Sequence, residues 1–160
     1  LNSKQKGHAL YYLAKTSNLT RASLWSSEHE ADLKKSIAGL MAIGKIALEN
    51  KELERAREYL EKAVLRVEMD TVDHTQLLSL IFLTKELPDL HVLSRLSNKF
   101  AVDTSQYYKS TLGEKHLIRS TRLLYFTARS ERGHLLTSSE QSEVELFLDD
   151  IEHNSFEKKK

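Results

Sequence analysis

The chain has no cysteine. A disulfide framework, a thiol nucleophile and a cysteine-ligated zinc or iron–sulfur centre are therefore excluded. The compartment stays open, because a cysteine-free chain suits a reducing cytoplasm and an oxidising exterior alike. We take the cytoplasm as the reference setting, with a periplasmic or membrane-tethered soluble domain as the alternative. Proline occurs once and glycine five times, and runs that alternate Val, Ile or Thr with polar residues are missing. Both point to an all-helical chain. No apolar run approaches the roughly 20 residues that span a bilayer, and no signal-like segment opens the sequence. The first residue is Leu1 rather than Met, which reads as a mature form or an excised piece of a longer protein. Charge of one sign is also lacking. Lys+Arg number 24 and Asp+Glu 23, a net +1, so nothing global draws the chain to nucleic acid or an anionic membrane.

Catalytic and cofactor signatures are as sparse. The seven histidines are scattered without a His-x-x-x-His or His-Glu-x-x-His spacing, so no helix face offers two metal ligands one turn apart. Neither a Gly-rich phosphate loop nor a Gly-x-Ser-x-Gly turn occurs. The paired acids Asp149-Asp150 fall on a polar helix face, where nothing separates their pKa values for acid–base work. No catalytic residue, cofactor or metal is assigned.

What the sequence does contain is helical periodicity, strongest between Leu40 and Ala63. Leu40, Ile43, Gly44 and Ala47 form one apolar stripe, and Leu53, Ala56, Leu60 and Ala63 form another, across the polar link Glu49-Asn50-Lys51-Glu52. Two such stripes, each with a small residue at a close approach, predict an antiparallel helical hairpin with Gly44 and Ala56 at the crossing. With 40% apolar residues, a chain of this length can fold as one domain burying about two thirds of its unfolded surface.

The order Leu40, Ile43-Gly44, Ala47, Leu53, Ala56, Leu60, Ala63 resembles the tetratricopeptide repeat, a helix-turn-helix unit of 34 residues. It departs at Glu68, where the family usually has proline. Shifting back by 34 residues places Ala9-Leu10, Leu13, Leu19 and Ala22 on the same positions, and shifting forward places Leu77-Leu78, Ile81, Leu87 and Leu90 there. The resemblance implies repeats over about 3–36, 37–70 and 71–102, stacked as a short solenoid whose concave side binds peptides or proteins. Helices over 103–153 would cap the stack within a single domain, 1–153, and 154–160 would be a disordered basic tail.

Local signals set the expected helices. They run over 5–15, with Ala9, Leu10 and Leu13 inward, and over 18–25, with Trp25 in the core. A long one covers 28–49, started by a Ser27-x-x-Glu30 capping box. Asp70 with Asp73 would cap the first helix of the third unit, and Pro88 would sit in the first turn of a helix over 89–99. A short helix opened by Asp103 and closed by Gly113 follows. Then come 114–132, closed by Gly133, and 139–152, opened by Thr137-x-x-Glu140 and Ser138-x-x-Gln141, with Val144, Phe147, Leu148 and Ile151 inward.

The resemblance places the first helix of each unit along the concave side. That implies Tyr11, Met41, Leu48 and Phe82 as apolar anchors for a partner helix or extended peptide, beside Ala38, Glu49, Thr75 and Ser79, with Lys45 free for a carboxylate. Chaperone-binding members of the family clamp a terminal carboxylate with Asn and Lys. Lys45 stands where that Asn would be, which argues against such a ligand. Separately, Lys115, Arg119, Arg122, Arg129 and Arg132 follow helical spacing, and Glu140, Glu143, Glu145, Asp149, Asp150 and Glu152 crowd the next helix. A basic stripe can track phosphates, whereas two antiparallel helices of opposite charge pair with each other. The adjacent acids favour pairing. The resulting expectation is a non-catalytic interaction scaffold or adaptor for another protein or peptide. Alternatives are a sensory or regulatory helical domain and nucleic-acid binding through the stripe; a homo-oligomer stays open.

Overall fold

The computed structural model describes residues 2–16 and 18–158, with side chains described through Asn154. Every regular element among them is an α-helix, in the order α1 (Ser3–Lys15), α2 (Leu19–Glu28), α3 (Glu30–Leu33), α4 (Ile37–Glu49), α5 (Leu53–Leu65), α6 (His74–Lys85), α7 (His91–Asn98), α8 (Thr104–Lys109), α9 (Leu112–Glu131) and α10 (Ser138–Lys158). The all-helical expectation is met. None of these helices is long and apolar enough to cross a membrane. The chain divides into two compact units, Leu1–Lys99 and Phe100–Lys160. The division falls beside Ala101, where the repeat spacing stops.

In the first unit α4 is the hub. Nine of its 13 residues are buried, because Ile37 to Leu48 has Lys45 as its one charged side chain, and a helix apolar all round must be covered all round. Helix α1 covers one side and α5 another. A Cβ built on Gly7 would meet Ala38 C and Gly39 N at 2.5 Å, so α1 lies backbone to backbone on α4. On the α5 side, a Cβ on Gly44 would meet Leu60 Cδ2 at 2.7 Å, and Ala56 is fully buried. Both small residues therefore sit in the packed hairpin, as expected. Helix α5 buries Ala56, Tyr59, Leu60, Ala63 and Val64, while Leu53, placed on the stripe by its spacing, is 40% exposed.

Three local expectations are corrected. The long helix over 28–49 is two helices: Ser27 Oγ donates back to Ser23 O (3.1 Å), and the cap comes from Ser36, whose Oγ accepts Gly39 N–H (3.0 Å). Ser36 is also held by Ser3 Oγ (2.8 Å). The bend seats Gly39 against the backbone of Leu33. In α1 the buried face is Gly7, Leu10 and Ala14, with Ala9 exposed and Leu13 half-buried. Pro88 precedes α7 in a bend rather than opening it. By contrast Asp73 caps α6 as expected, its Oδ1 accepting Thr75 N–H (2.8 Å).

The α4–α5 turn closes with Glu52 N–H on Ala47 O (2.8 Å) and Lys51 N–H on Leu48 O (3.0 Å), Lys51 taking φ 60°. The same pair of bonds closes α9 around Gly133, at φ 84°, where glycine meets no Cβ penalty. Between successive hairpins, Arg95 Nη1 donates to Glu61 (3.0 Å) and Lys99 Nζ to the carbonyl of Leu65 (3.1 Å), each joining residues 34 apart. Arg57 reaches Asp89 at 2.5 Å. On the first hairpin's side, Tyr59 Oη–H and Arg55 both donate to Glu30 Oε1 at 2.6 Å.

The second unit holds α8, α9 and α10. Capping boxes Asp103/Gln106 and Thr111/Glu114 start α8 and α9. Gly113 lies in the first turn of α9 instead of closing α8, which ends at Lys109 because Ser110 turns extended and Thr111 caps the next helix. At the start of α10, Thr137 N–H donates to Glu140 Oε1 (2.9 Å) and Glu140 N–H donates to Thr137 Oγ1 (3.2 Å). That helix continues to Lys158, so residues 154–158 are helical where a disordered tail was expected; 159 and 160 lie outside the described residues. Phe147 is buried, but Leu148 and Ile151, expected inward, are 57% and 42% exposed.

Candidate functional site

Helices α1, α4 and α6 line an open cleft of about 120 Å³ in the first unit, bounded by Gly7, His8 and Tyr11, by Ala38 and Met41, and by Asp73, Thr75, Gln76 and Ser79. Ser3 meets Ser36 and Gly7 meets Ala38 and Gly39, the numbers rising together, so α1 and α4 run in the same direction. The floor is apolar because Gly7 lets α1 sink onto α4, leaving Met41 beneath. Tyr11, Thr75, Gln76 and Ser79 add hydroxyl- and amide-bearing side chains to the lining, and Asp73 adds a carboxylate-bearing one.

The expected groove residues divide. Tyr11, Ala38, Met41, Thr75 and Ser79 come together in the cleft. Met41 is 4% exposed, so it is floor, not a projecting anchor. Lys45, expected to be free for a partner's carboxylate, pairs through its Nζ with Glu49 of the same helix at 2.6 Å. Burial works against the charged Lys45 ammonium, yet the hydrogen bond and charge of Glu49, with Glu86 beyond, raise its pKa overall. The Tyr11 phenol is raised too, chiefly by burial, with Lys45 opposing and Glu86 reinforcing. Leu48 is half-buried and Phe82 is 53% exposed; neither lines the cleft. Gly7, His8, Asp73 and Gln76 were not singled out as site residues. The signal existed: Gly7 and Thr75 lie one 34-residue step either side of Met41, and His8 and Gln76 either side of Ala42.

A larger cleft of about 500 Å³ opens between α1 and α2, where Trp25, expected in the core, is half-buried against Tyr12, Leu13 and Arg21. The Trp25 and His29 rings lie 4.1 Å apart between centroids, tilted by 33°.

Three arginines of the second unit's basic stripe pair with acids of α10. Arg122 grips Glu143 through two bonds (2.6 and 2.9 Å), Arg119 reaches Asp150 (3.3 Å), and Arg129 binds Glu140. Residue numbers rise on one helix as they fall on the other, so α9 and α10 run antiparallel. Lys115 lies over the rings of Tyr107 and Tyr108, 5.5 Å from each. The pairing reading is the one realised for Arg119, Arg122 and Arg129. At the buried end, Tyr107 Oη–H donates to Asp150 (2.7 Å) while accepting from Arg119 (2.8 Å). Burial pushes the phenol up to about 12; the Arg119 bond opposes this and Asp150 reinforces it.

The folded chain thus holds Tyr107 neutral more tightly than the unfolded chain, whose phenol titrates near pH 10. The associated stability is complete below pH 10 and is lost as pH rises through about 12. We expect one of the six tyrosines to ionise near 12 in a phenolate absorbance titration, and Tyr107→Phe to remove that step. A wild-type titration in which every tyrosine ionises near pH 10 while the chain stays folded would contradict this burial.

Among the described residues no group of three His, Asp or Glu side chains is placed to hold a metal ion. Comparison with models of protein families, with curated proteins and with solved structures finds no match for this chain.

Proposed function

We propose that the first unit is a short, solenoid-like stack of helical hairpins acting as a non-catalytic protein-interaction scaffold, with a partner peptide or helix taken up in the α1–α4–α6 cleft. The observation that carries this reading is register. Gly7, Met41 and Thr75 stand 34 residues apart and line one cleft, as do His8 with Gln76 and Tyr11 with Ser79 at twice that step. The same interval joins Glu61 to Arg95 and Leu65 to Lys99 on the outer helices. A common step on both layers is what stacked repeats produce. Size supports a protein partner. The cleft, at about 120 Å³, is smaller than the roughly 300–1,000 Å³ of pockets that enclose a cofactor or drug-sized ligand, and it has room for one inserted side chain. Nucleic-acid binding draws no support from Arg119, Arg122 and Arg129, whose charges are met by α10.

The test fills the cleft without removing core. Ser79→Trp changes a half-buried wall residue, whereas replacing Met41 with a charge would unfold the hub. We expect capture of partner proteins from a host extract to fall at least tenfold for Ser79→Trp, with unchanged thermal melting, and to be unaffected by Leu24→Ser on the exposed side of α2. Equal capture by a folded Ser79→Trp protein ends the proposal.

A further inference from the structure

Helix α10 carries a second surface, separate from the cleft. Its inner face is spent on the second unit: Phe147 and Asp150 are buried, and Glu140 and Glu143 meet arginines of α9. On the outside Val144, Leu148 and Ile151 form a strip at i, i+4 and i+7, the last two 57% and 42% exposed. Beside it, one position later at each step, run Glu145, Asp149 and Glu152, all exposed. Helical geometry puts both strips side by side over about 12 Å. None of these three carboxylates pairs with a cation among the described residues, and α10 has no Lys or Arg before Lys158.

Glu140, Glu143 and Asp150 each have an arginine of α9, while Glu145, Asp149 and Glu152 have none and lie beside exposed aliphatic surface. We propose that this outer face docks an amphipathic helix of a partner protein, with aliphatic residues at i, i+4 and i+7 and an adjacent strip of Lys or Arg. Charge complementarity selects that occupant: an acidic helix would be repelled by Glu145, Asp149 and Glu152, as would an anionic membrane or nucleic acid. The aliphatic strip distinguishes it from a merely basic peptide, which would leave Leu148 and Ile151 in water.

The probe is a dye-labelled synthetic helix of about 18 residues, with leucines at i, i+4, i+7 and i+11 and a lysine after each. Its counterpart has glutamates for the lysines. Binding to the full chain is followed by fluorescence anisotropy. The lysine peptide is expected to bind, more weakly as salt rises, and the glutamate peptide not to bind. Two variants, Leu148→Ser with Ile151→Ser and Glu145→Gln with Asp149→Asn and Glu152→Gln, should each weaken binding about tenfold while the helical circular dichroism persists. Three results would overturn the proposal. Binding of the lysine peptide that survives loss of Leu148 and Ile151 marks diffuse charge attraction. Absence of binding removes the site. Sedimentation showing a dimer that dissociates in the serine variant assigns the face to a second copy.

Discussion

Gly39→Ala is expected to destabilise the first unit more than any other single methyl addition. The new Cβ would stand 1.8 Å from Leu33 O, 2.6 Å from Leu33 C and 2.8 Å from its Cα. All three are backbone atoms, so no rotamer change relieves the overlap, and the bend between α3 and α4 must open. Overpacking typically costs about 1–3 kcal/mol, and we expect the upper end or beyond here. For a chain of this size that lowers the melting temperature by on the order of 10 °C. Gly7→Ala, 2.5 Å from Ala38 C and Gly39 N, follows for the same reason. Two controls calibrate the argument. Gly44→Ala meets the side chain of Leu60, which can rotate, and should cost less. Gly113→Ala, with nothing within 4 Å, should stabilise α9 by up to about 1 kcal/mol through helix propensity. Thermal melts ranking Gly39→Ala level with Gly44→Ala would refute the close approach.

Arg122→Met should be the costliest change in the second unit. Arg122 and Glu143 are 8% and 15% exposed at their side chains and share two hydrogen bonds. Removing the guanidinium leaves a largely buried carboxylate unmatched, which costs about 3–5 kcal/mol. Adding Glu143→Leu removes the stranded charge, and the double variant should recover most of the loss, because a packed apolar pair often matches a buried ion pair in stability. Urea titration of the two single variants and the double measures the coupling. Additive losses would mean that the pair is solvated and contributes little.

Legibility in the sequence tracked the physics of each signal. Caps were readable to within a neighbouring candidate, as at Asp73 (beside Asp70), Asp103 and Thr137 (beside Ser138), and so was the closing glycine of α9 at Gly133. The cap read at Ser27 is made by Ser36 instead. Ser36 won through its tertiary partner Ser3 and the seating of Gly39, neither visible locally. Faces were readable on α5, whose polar and apolar sides differ. On α4, apolar on nearly every side, periodicity does not say which face meets which neighbour. That is why Met41 was placed outside and lies beneath the cleft. The convergence of Tyr11, Met41, Thr75 and Ser79 followed from the interval of 34 residues. The engagement of Lys45 by Glu49 is an ordinary i, i+4 pair that could have been read off directly. On α10 the surplus of apolar positions, Val144, Leu148 and Ile151 beside Phe147, left no way to decide from the sequence which would be covered.

The enclosure of α4 also bears on synthesis. Residues 2–36 leave the ribosome before their main packing surface exists, and α4 itself cannot be shielded from water on its second side until α5 follows it. The earliest species able to bury this helix on two sides ends near residue 65, so a nascent chain halted earlier exposes a sticky apolar rod, and one released just afterwards does not.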